Sequence, residues 1–161
     1  MFKQFVSGIV CLAVIQTSLF AGIAPDKAVY RGGTVAAKIG DEAKFSLVGD
    51  SFTFGADKKG PKVVIPYEKI TSIEYGQKAG RRIGAAVGLA VLAGPIGFLA
   101  LMSKKRNHMV SLTWRNADGK NQGAVFEFGK DSIRPALNAF EAGSGVAVEY
   151  ETEDAKKNIG R

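Results

Sequence analysis

The side chains that most often carry catalysis or bind metal are sparse in this 161-residue chain. His108 is its single histidine and Cys11 its single cysteine. A zinc site built from nitrogen and sulfur ligands needs three or four such side chains, so this chain cannot form one. A Ser-His-Asp triad would have to use His108, and no Gly-x-Ser-x-Gly elbow is present to expose a serine. The sequence predicts neither a nucleophilic enzyme nor a metal centre.

The carboxylates are scattered along the chain rather than paired. The phosphate-binding loop with the pattern Gly-x-x-x-x-Gly-Lys-Ser/Thr is also absent. The acids considered for general acid or base chemistry are Glu68, Glu74, Asp118, Glu127 and Asp131. Because no pair of them is singled out by spacing, we expect a protein that is not an enzyme, needs no cofactor and acts by binding.

The cations, in contrast, form a pattern around one apolar segment. Residues 83–102 read IGAAVGLAVLAGPIGFLALM and contain no charge, within a chain whose net charge is +7. Five cations flank the segment: Arg81, Arg82, Lys104, Lys105 and Arg106. An apolar stretch between cations predicts contact with an anionic membrane surface, with the cations in the headgroup layer.

A turn signal divides this apolar segment into two arms. Gly94-Pro95 interrupts any helix, leaving 83–93 on one side and 96–102 on the other. An arm of about ten helical residues reaches ~15 Å, half of a hydrocarbon core that is ~30 Å thick. We therefore predict a hairpin that dips into the membrane and returns to the same face. Its apolar contacts are expected from Leu89, Val91, Leu92, Phe98, Leu99 and Leu101.

Three other interpretations of residues 83–102 stay open. A single transmembrane helix has the required length, but it would place the strands before and after it on opposite sides of the bilayer. Gly84-x-x-x-Gly88 allows close helix packing, which would suit a structural homo-oligomer assembled without lipid contact. The segment could also fold back as a buried element of its own domain.

The first 22 residues have the features of a secretory signal peptide. Lys3 is their only charge, an apolar run follows from Phe5 to Ile15, and small or polar residues come next. We therefore expect an exported protein, in the periplasm or the cell envelope and associated with a membrane. The cations on both flanks of 83–102 would by themselves favour a cytoplasmic face, but the order of features in the signal peptide is the more specific indication.

The rest of the chain predicts one small β domain, residues 23–150, that ends in a helix. Residues 25–33 read as a polar lead-in, and 151–161 as a charged flexible tail. Strands are predicted near residues 34–37, 44–48, 52–54, 63–65, 71–76, 108–115 and 125–128. The apolar stripe Ile133, Ala136, Leu137 and Phe140 predicts a helix, and residues 146–150 a short final strand.

This order of elements resembles the pleckstrin-homology-like (PH-like) superfamily in its bacterial members. The residues that carry the resemblance are Ile65-Pro66-Tyr67-x-x-Ile70-x-x-Ile73-Glu74-Tyr75 and Phe126-x-Phe128 before a helix at Ser132. The resemblance implies a bent half-open barrel of seven strands, closed by the C-terminal helix, that binds phospholipid headgroups, peptides or proteins. It does not imply recognition of inositol phosphates, because residues 38–42 hold one lysine and two acids where that function needs a basic loop.

The expected partner is therefore an anionic membrane surface. A protein partner or a second copy of the chain stays open. Nucleic acid is not favoured, because the cations cluster around an apolar segment and not with exposed aromatic residues or a groove-reading helix.

Overall fold

The computed structural model describes residues 26–55, 60–77, 107–157 and 159. These residues form eight strands, one 3₁₀ turn and two helices. The strands are β1 (Lys27–Gly33), β2 (Glu42–Ser46), β3 (Ser51–Phe54), β4 (Val63–Pro66), β5 (Ile70–Gly76), β6 (His108–Arg115), β7 (Asn121–Phe128) and β8 (Val148–Tyr150). The 3₁₀ turn is Tyr67–Lys69, and the helices are α1 (Ile133–Ser144) and α2 (Glu153–Lys157). The prediction of a mainly β chain with a C-terminal helix is confirmed.

The strands form one open, mixed sheet. Their order is β4-β3-β2-β1-β7-β6-β5-β8. Every pairing is antiparallel except that of β8, which runs parallel to β5 with Ile73 opposite Val148. Strands β1 and β7 join the first four strands to the others, and their register shifts between Tyr30 and Gly32. Such an irregularity bends the sheet and increases its twist, which brings the first four strands across the last ones.

An aromatic core fills the space between the two parts of the sheet. Phe52 of β3 meets Phe126 of β7 with ring centroids 5.0 Å apart, and Phe140 of α1 at 5.3 Å, both edge to face. Phe45 packs on Phe128 in the same way at 5.1 Å. Each such pair contributes about 0.5–1.5 kcal/mol beyond the burial of its surface. The alternation of phenylalanines along the strands therefore sets which side of each strand faces the core.

Helix α1 closes one end of this core with its predicted apolar stripe. Ile133, Ala136, Leu137 and Phe140 are all buried. Ser132 stands at the N-cap position, but its hydroxyl donates to the Gly129 carbonyl (3.1 Å) and does not cap the helix. The helix ends at Gly145, whose φ of 71° is left-handed and whose N–H donates to the Glu141 carbonyl at 2.9 Å.

The structure corrects two boundaries of the sequence prediction. The first strand is Lys27–Gly33, within the segment read as a polar lead-in, and residues 34–37 are not a strand. Ala28 and Tyr30 of that strand are buried in the core, while Lys27 and Arg31 on either side of them hid the alternation. Helix α2 lies in the segment predicted as a flexible tail, because Ala155 is buried against the same core.

Candidate functional site

The membrane-contact residues predicted from the sequence all fall between positions 78 and 106, outside the described residues. These are Arg81, Arg82, Leu89, Val91, Leu92, Phe98, Leu99, Leu101, Lys104, Lys105 and Arg106. The predicted signal peptide, residues 1–22, also lies outside them. The structure does place the residues from which segment 78–106 departs and to which it returns.

The two ends of segment 78–106 lie side by side. Strands β5 and β6 are antiparallel neighbours, with Tyr75 opposite Val110 and Gly76 opposite Met109. One residue further, the Asn107 N–H donates to the Gln77 carbonyl at 3.1 Å. The chain thus leaves the sheet at Gln77 and re-enters it at Asn107, at the same end of the same strand pair.

A histidine and a tyrosine join the two strands at the foot of this segment. The hydroxyl of Tyr75 lies 2.7 Å from Nδ1 of His108, and the two rings stack 6.1 Å apart. Both side chains are buried. Burial lowers the pKa of His108 from its usual 6.5, because it disfavours the charged imidazolium, and raises the pKa of Tyr75 to about 12. His108 thus begins β6 on the face that also carries Val110 and Leu112 of the core.

The sheet face opposite the aromatic core carries a shielded ion pair. Nε of Arg31 on β1 donates to Oε2 of Glu127 on β7 at 2.6 Å, and Nη2 binds the same oxygen. Met109 is buried on this face but does not belong to the core cluster. The hydroxyls of Ser111 and Thr113 are buried and make no hydrogen bond with the described residues. This face is therefore a second buried surface, made of both polar and apolar side chains, that is separate from the core.

A groove lies at the other end of β5. It has a volume of about 710 Å³ and is bordered by the β2–β3 turn, the 3₁₀ turn and the second half of α1. Its lining residues are Leu47, Gly49, Asp50, Pro66, Tyr67, Glu68, Ala139, Ala142 and Gly143. The sequence by itself predicts a hairpin turn at Gly49-Asp50 and a short turn at residues 67–70. It does not bring these turns together, because only the fold places them next to α1.

Within the described residues, no group of three or more His, Cys, Asp or Glu side chains could hold a metal ion. None of the helices in the described ranges combines the length and the apolar character that a membrane-spanning helix needs.

Comparison of the chain with family models, with curated proteins and with solved structures gives no match. Its candidate functions therefore rest on its own residues and geometry.

Proposed function

We propose that this chain is an exported, non-enzymatic binding or scaffolding module, attached peripherally to a membrane through an apolar hairpin at residues 83–102. The supporting observation is the hydrogen bond between Asn107 and Gln77, which brings the ends of segment 78–106 together. A single helix across the bilayer would need its two ends ~30 Å apart on opposite faces. A hairpin needs them adjacent on one face, and the β5–β6 pairing meets that requirement.

The strand order supports a PH-like fold as the body of this module. Strands β1–β4 and β5–β7 follow one another as two antiparallel groups, joined through β1 and β7, while β4 and β5 are not paired. Helix α1 comes after β7 and packs into the core with Phe140. This is the arrangement that the resemblance implies for a half-open barrel with a closing helix. Strand β8 and helix α2 are additions to it.

The charge pattern supports an anionic surface as the membrane partner. Five of the 22 lysines and arginines flank the uncharged segment. Each cation held near an anionic leaflet contributes about 1 kcal/mol, and that attraction falls within a Debye length. Binding driven by both the apolar arms and the cations should therefore weaken, but not vanish, as salt concentration rises.

The test is flotation of the protein with phosphatidylglycerol-containing vesicles. The chain is used without residues 1–22, so that the N-terminal apolar segment cannot insert by itself. We expect this chain to float, and a variant with residues 83–102 replaced by a short Gly-Ser linker to stay in the soluble fraction. Because Gln77 and Asn107 are adjacent, the linker should leave the β domain folded, which circular dichroism checks.

A variant without the flanking cations separates the contribution of charge to membrane binding from that of the apolar arms. Replacing the five flanking cations with glutamine should reduce flotation at low salt, while the matched replacements Lys120→Gln and Lys130→Gln, both on exposed turns, should not. The proposal would be contradicted if the linker variant floated as well as its parent. If neither floated and only the parent were oligomeric, the structural homo-oligomer would be the correct alternative.

A further inference from the structure

We propose that the groove between the β2–β3 turn, the 3₁₀ turn and α1 binds a lysine or arginine side chain of a partner polypeptide, together with the small apolar residues beside it. The proposal concerns a different end of the molecule from the membrane hairpin and does not depend on membrane attachment. Four properties of the groove carry it, namely its size, its fixed walls, its unpaired charge and the exposed valine beside it.

The size of the groove suits a short stretch of peptide. Its volume of about 710 Å³ lies within the range of roughly 300–1,000 Å³ that is usual for ligand sites. A single ammonium ion would leave most of this space empty. Ala139, Ala142 and Gly143 form the helix wall, and Leu47 and Pro66 the apolar part of the opposite side. Such small side chains leave room for the apolar groups of a bound chain.

The walls are held in place by hydrogen bonds and close packing. The Tyr67 N–H donates to the Asp50 carbonyl at 2.9 Å, and its hydroxyl donates to the Leu47 carbonyl at 3.1 Å. These two bonds join the 3₁₀ turn to the β2–β3 turn. On the other side, the ring of Tyr67 packs edge to face on Phe140, with centroids 6.3 Å apart. The groove is therefore preformed, which lowers the entropic cost of binding a ligand.

The charge of the groove is negative. Its lining contains two acids, Asp50 and Glu68, and no lysine or arginine. Glu68 pairs with Lys69 at 3.3 Å, whereas the Asp50 carboxylate makes no ion pair or hydrogen bond with a described residue. A carboxylate beside an apolar surface favours a ligand that carries one cation and apolar atoms next to it. An anionic headgroup or a nucleic-acid phosphate would be repelled.

An exposed aliphatic side chain stands on the turn that borders the groove. Val48 is 86% exposed, the most exposed large apolar residue in the described part of the chain. It stands between two lining residues, Leu47 and Gly49, at the tip of the β2–β3 turn. Its N–H donates to the Ser46 hydroxyl at 3.3 Å, so the turn that presents it is ordered by a local bond. A bound polypeptide is long enough to reach this side chain, whereas a small amine is not.

The position of the groove separates it from the proposed membrane hairpin. The 3₁₀ turn precedes β5, and segment 78–106 follows its last residues. The seven residues of β5 place the 3₁₀ turn about 20 Å along the sheet from the point where that segment leaves it. A module held at the membrane by one end of β5 would therefore present the groove away from the lipid, where a soluble or periplasmic chain can reach it.

The experiment is an NMR titration of the full chain in zwitterionic micelles, followed by backbone amide shifts. The probes are acetyl-Ala-Lys-Ala-amide, the same peptide with norleucine in place of lysine, and n-butylammonium. We expect the lysine peptide to shift the amides of Asp50, Glu68, Ala142 and Gly143 at millimolar concentration. The norleucine peptide should bind more weakly, because it lacks the cation, and n-butylammonium more weakly, because it lacks the peptide.

Two variants assign the effect to the groove. Asp50→Asn keeps the backbone carbonyl that Tyr67 uses and should weaken binding of the lysine peptide by roughly fivefold, the loss of one solvent-exposed ion pair. The matched control Glu149→Gln removes an exposed carboxylate on β8, outside the groove, and should leave the affinity unchanged. The proposal is overturned if the lysine peptide shifts none of the groove amides, if norleucine or n-butylammonium binds equally well, or if Asp50→Asn binds like the parent.

Discussion

His108 and Tyr75 form a buried hydrogen bond across β5 and β6 within two residues of the point where segment 78–106 leaves the sheet. Tyr75 precedes Gln77 by two positions, and His108 directly follows Asn107. The phenol can donate to Nδ1 only while that nitrogen carries no proton. The hydrogen bond between these two side chains thus helps to hold the two ends of the segment together.

We predict that acidification destabilises the fold through His108. Its pKa in the folded chain lies below the unfolded value of 6.5, so the unfolded chain takes up the proton first. The contribution of His108 to the free energy of unfolding is complete above pH 6.5 and is lost as the pH falls below that value. Urea unfolding at pH 7.5 and at 5.5 measures the effect. His108→Phe should remove most of the difference between the two midpoints, and an unchanged difference in that variant would refute the assignment.

At the alkaline end, the tyrosines should destabilise the fold. Burial raises the pKa values of Tyr30 and Tyr75 to about 12, above the ordinary value of 10. The unfolded chain therefore loses these protons first, and stability falls as the pH rises beyond 10. Absorbance of tyrosinate in the folded and the denaturant-unfolded protein gives the two titrations. Tyr30→Phe and Tyr75→Phe should each reduce the alkaline loss, and identical titrations of folded and unfolded protein would contradict the prediction.

Replacing Gly143 with alanine should destabilise the protein, although alanine is the better helix former by about 1 kcal/mol. A Cβ at this position would lie 2.5 Å from Cδ2 of Tyr67. The clash should cost about 1–3 kcal/mol, enough to reverse the sign. Asn138→Ala, at an exposed position of the same helix, is the control and should be neutral or stabilising. Thermal unfolding of both variants checks this, and a more stable Gly143→Ala protein would show that Tyr67 moves aside freely.

The two ion pairs of β1 should differ in their contribution to stability. Arg31 and Glu127 have exposed side-chain fractions of only 25% and 9%, against 40% and 45% for Lys27 and Glu42. Glu127→Gln should cost about 1–3 kcal/mol, because it leaves a shielded guanidinium without its carboxylate. Glu42→Gln should cost less than about 1 kcal/mol. Equal free energies of unfolding for the two variants, measured in urea, would mean that solvent screens both pairs alike.

Much of the fold was predictable from the sequence, because burial on one face makes apolar residues recur every two residues in a strand and every 3.6 residues in a helix. The alternation of His108, Val110, Leu112 and Trp114 predicted β6 at its observed bounds, and the stripe ending at Phe140 predicted α1. Strand β1 was missed because Lys27 and Arg31 point away from the core, to partners on β2 and β7 that are distant in sequence. Pairing with distant strands leaves no local signal.

The groove was not predictable for the same reason. Leu47, Tyr67 and Ala142 come from three segments, each of which has an ordinary local explanation as turn or helix surface. What joins them is the close approach of α1 to Tyr67, which depends on the missing side chain at Gly143. A glycine near the end of a helix reads as part of a helix stop, so its packing role becomes visible only in three dimensions.

Strand β8 has a consequence for self-association. Without it, the seven residues of β5 would present free backbone donors and acceptors, a surface to which a strand of another molecule can add. In the described sheet the outermost strands are β4 and β8, with four and three residues. Pro66 also ends β4 without an N–H to offer. Such short edge strands discourage growth by strand addition, so copies of this protein at high local concentration can stay separate β domains.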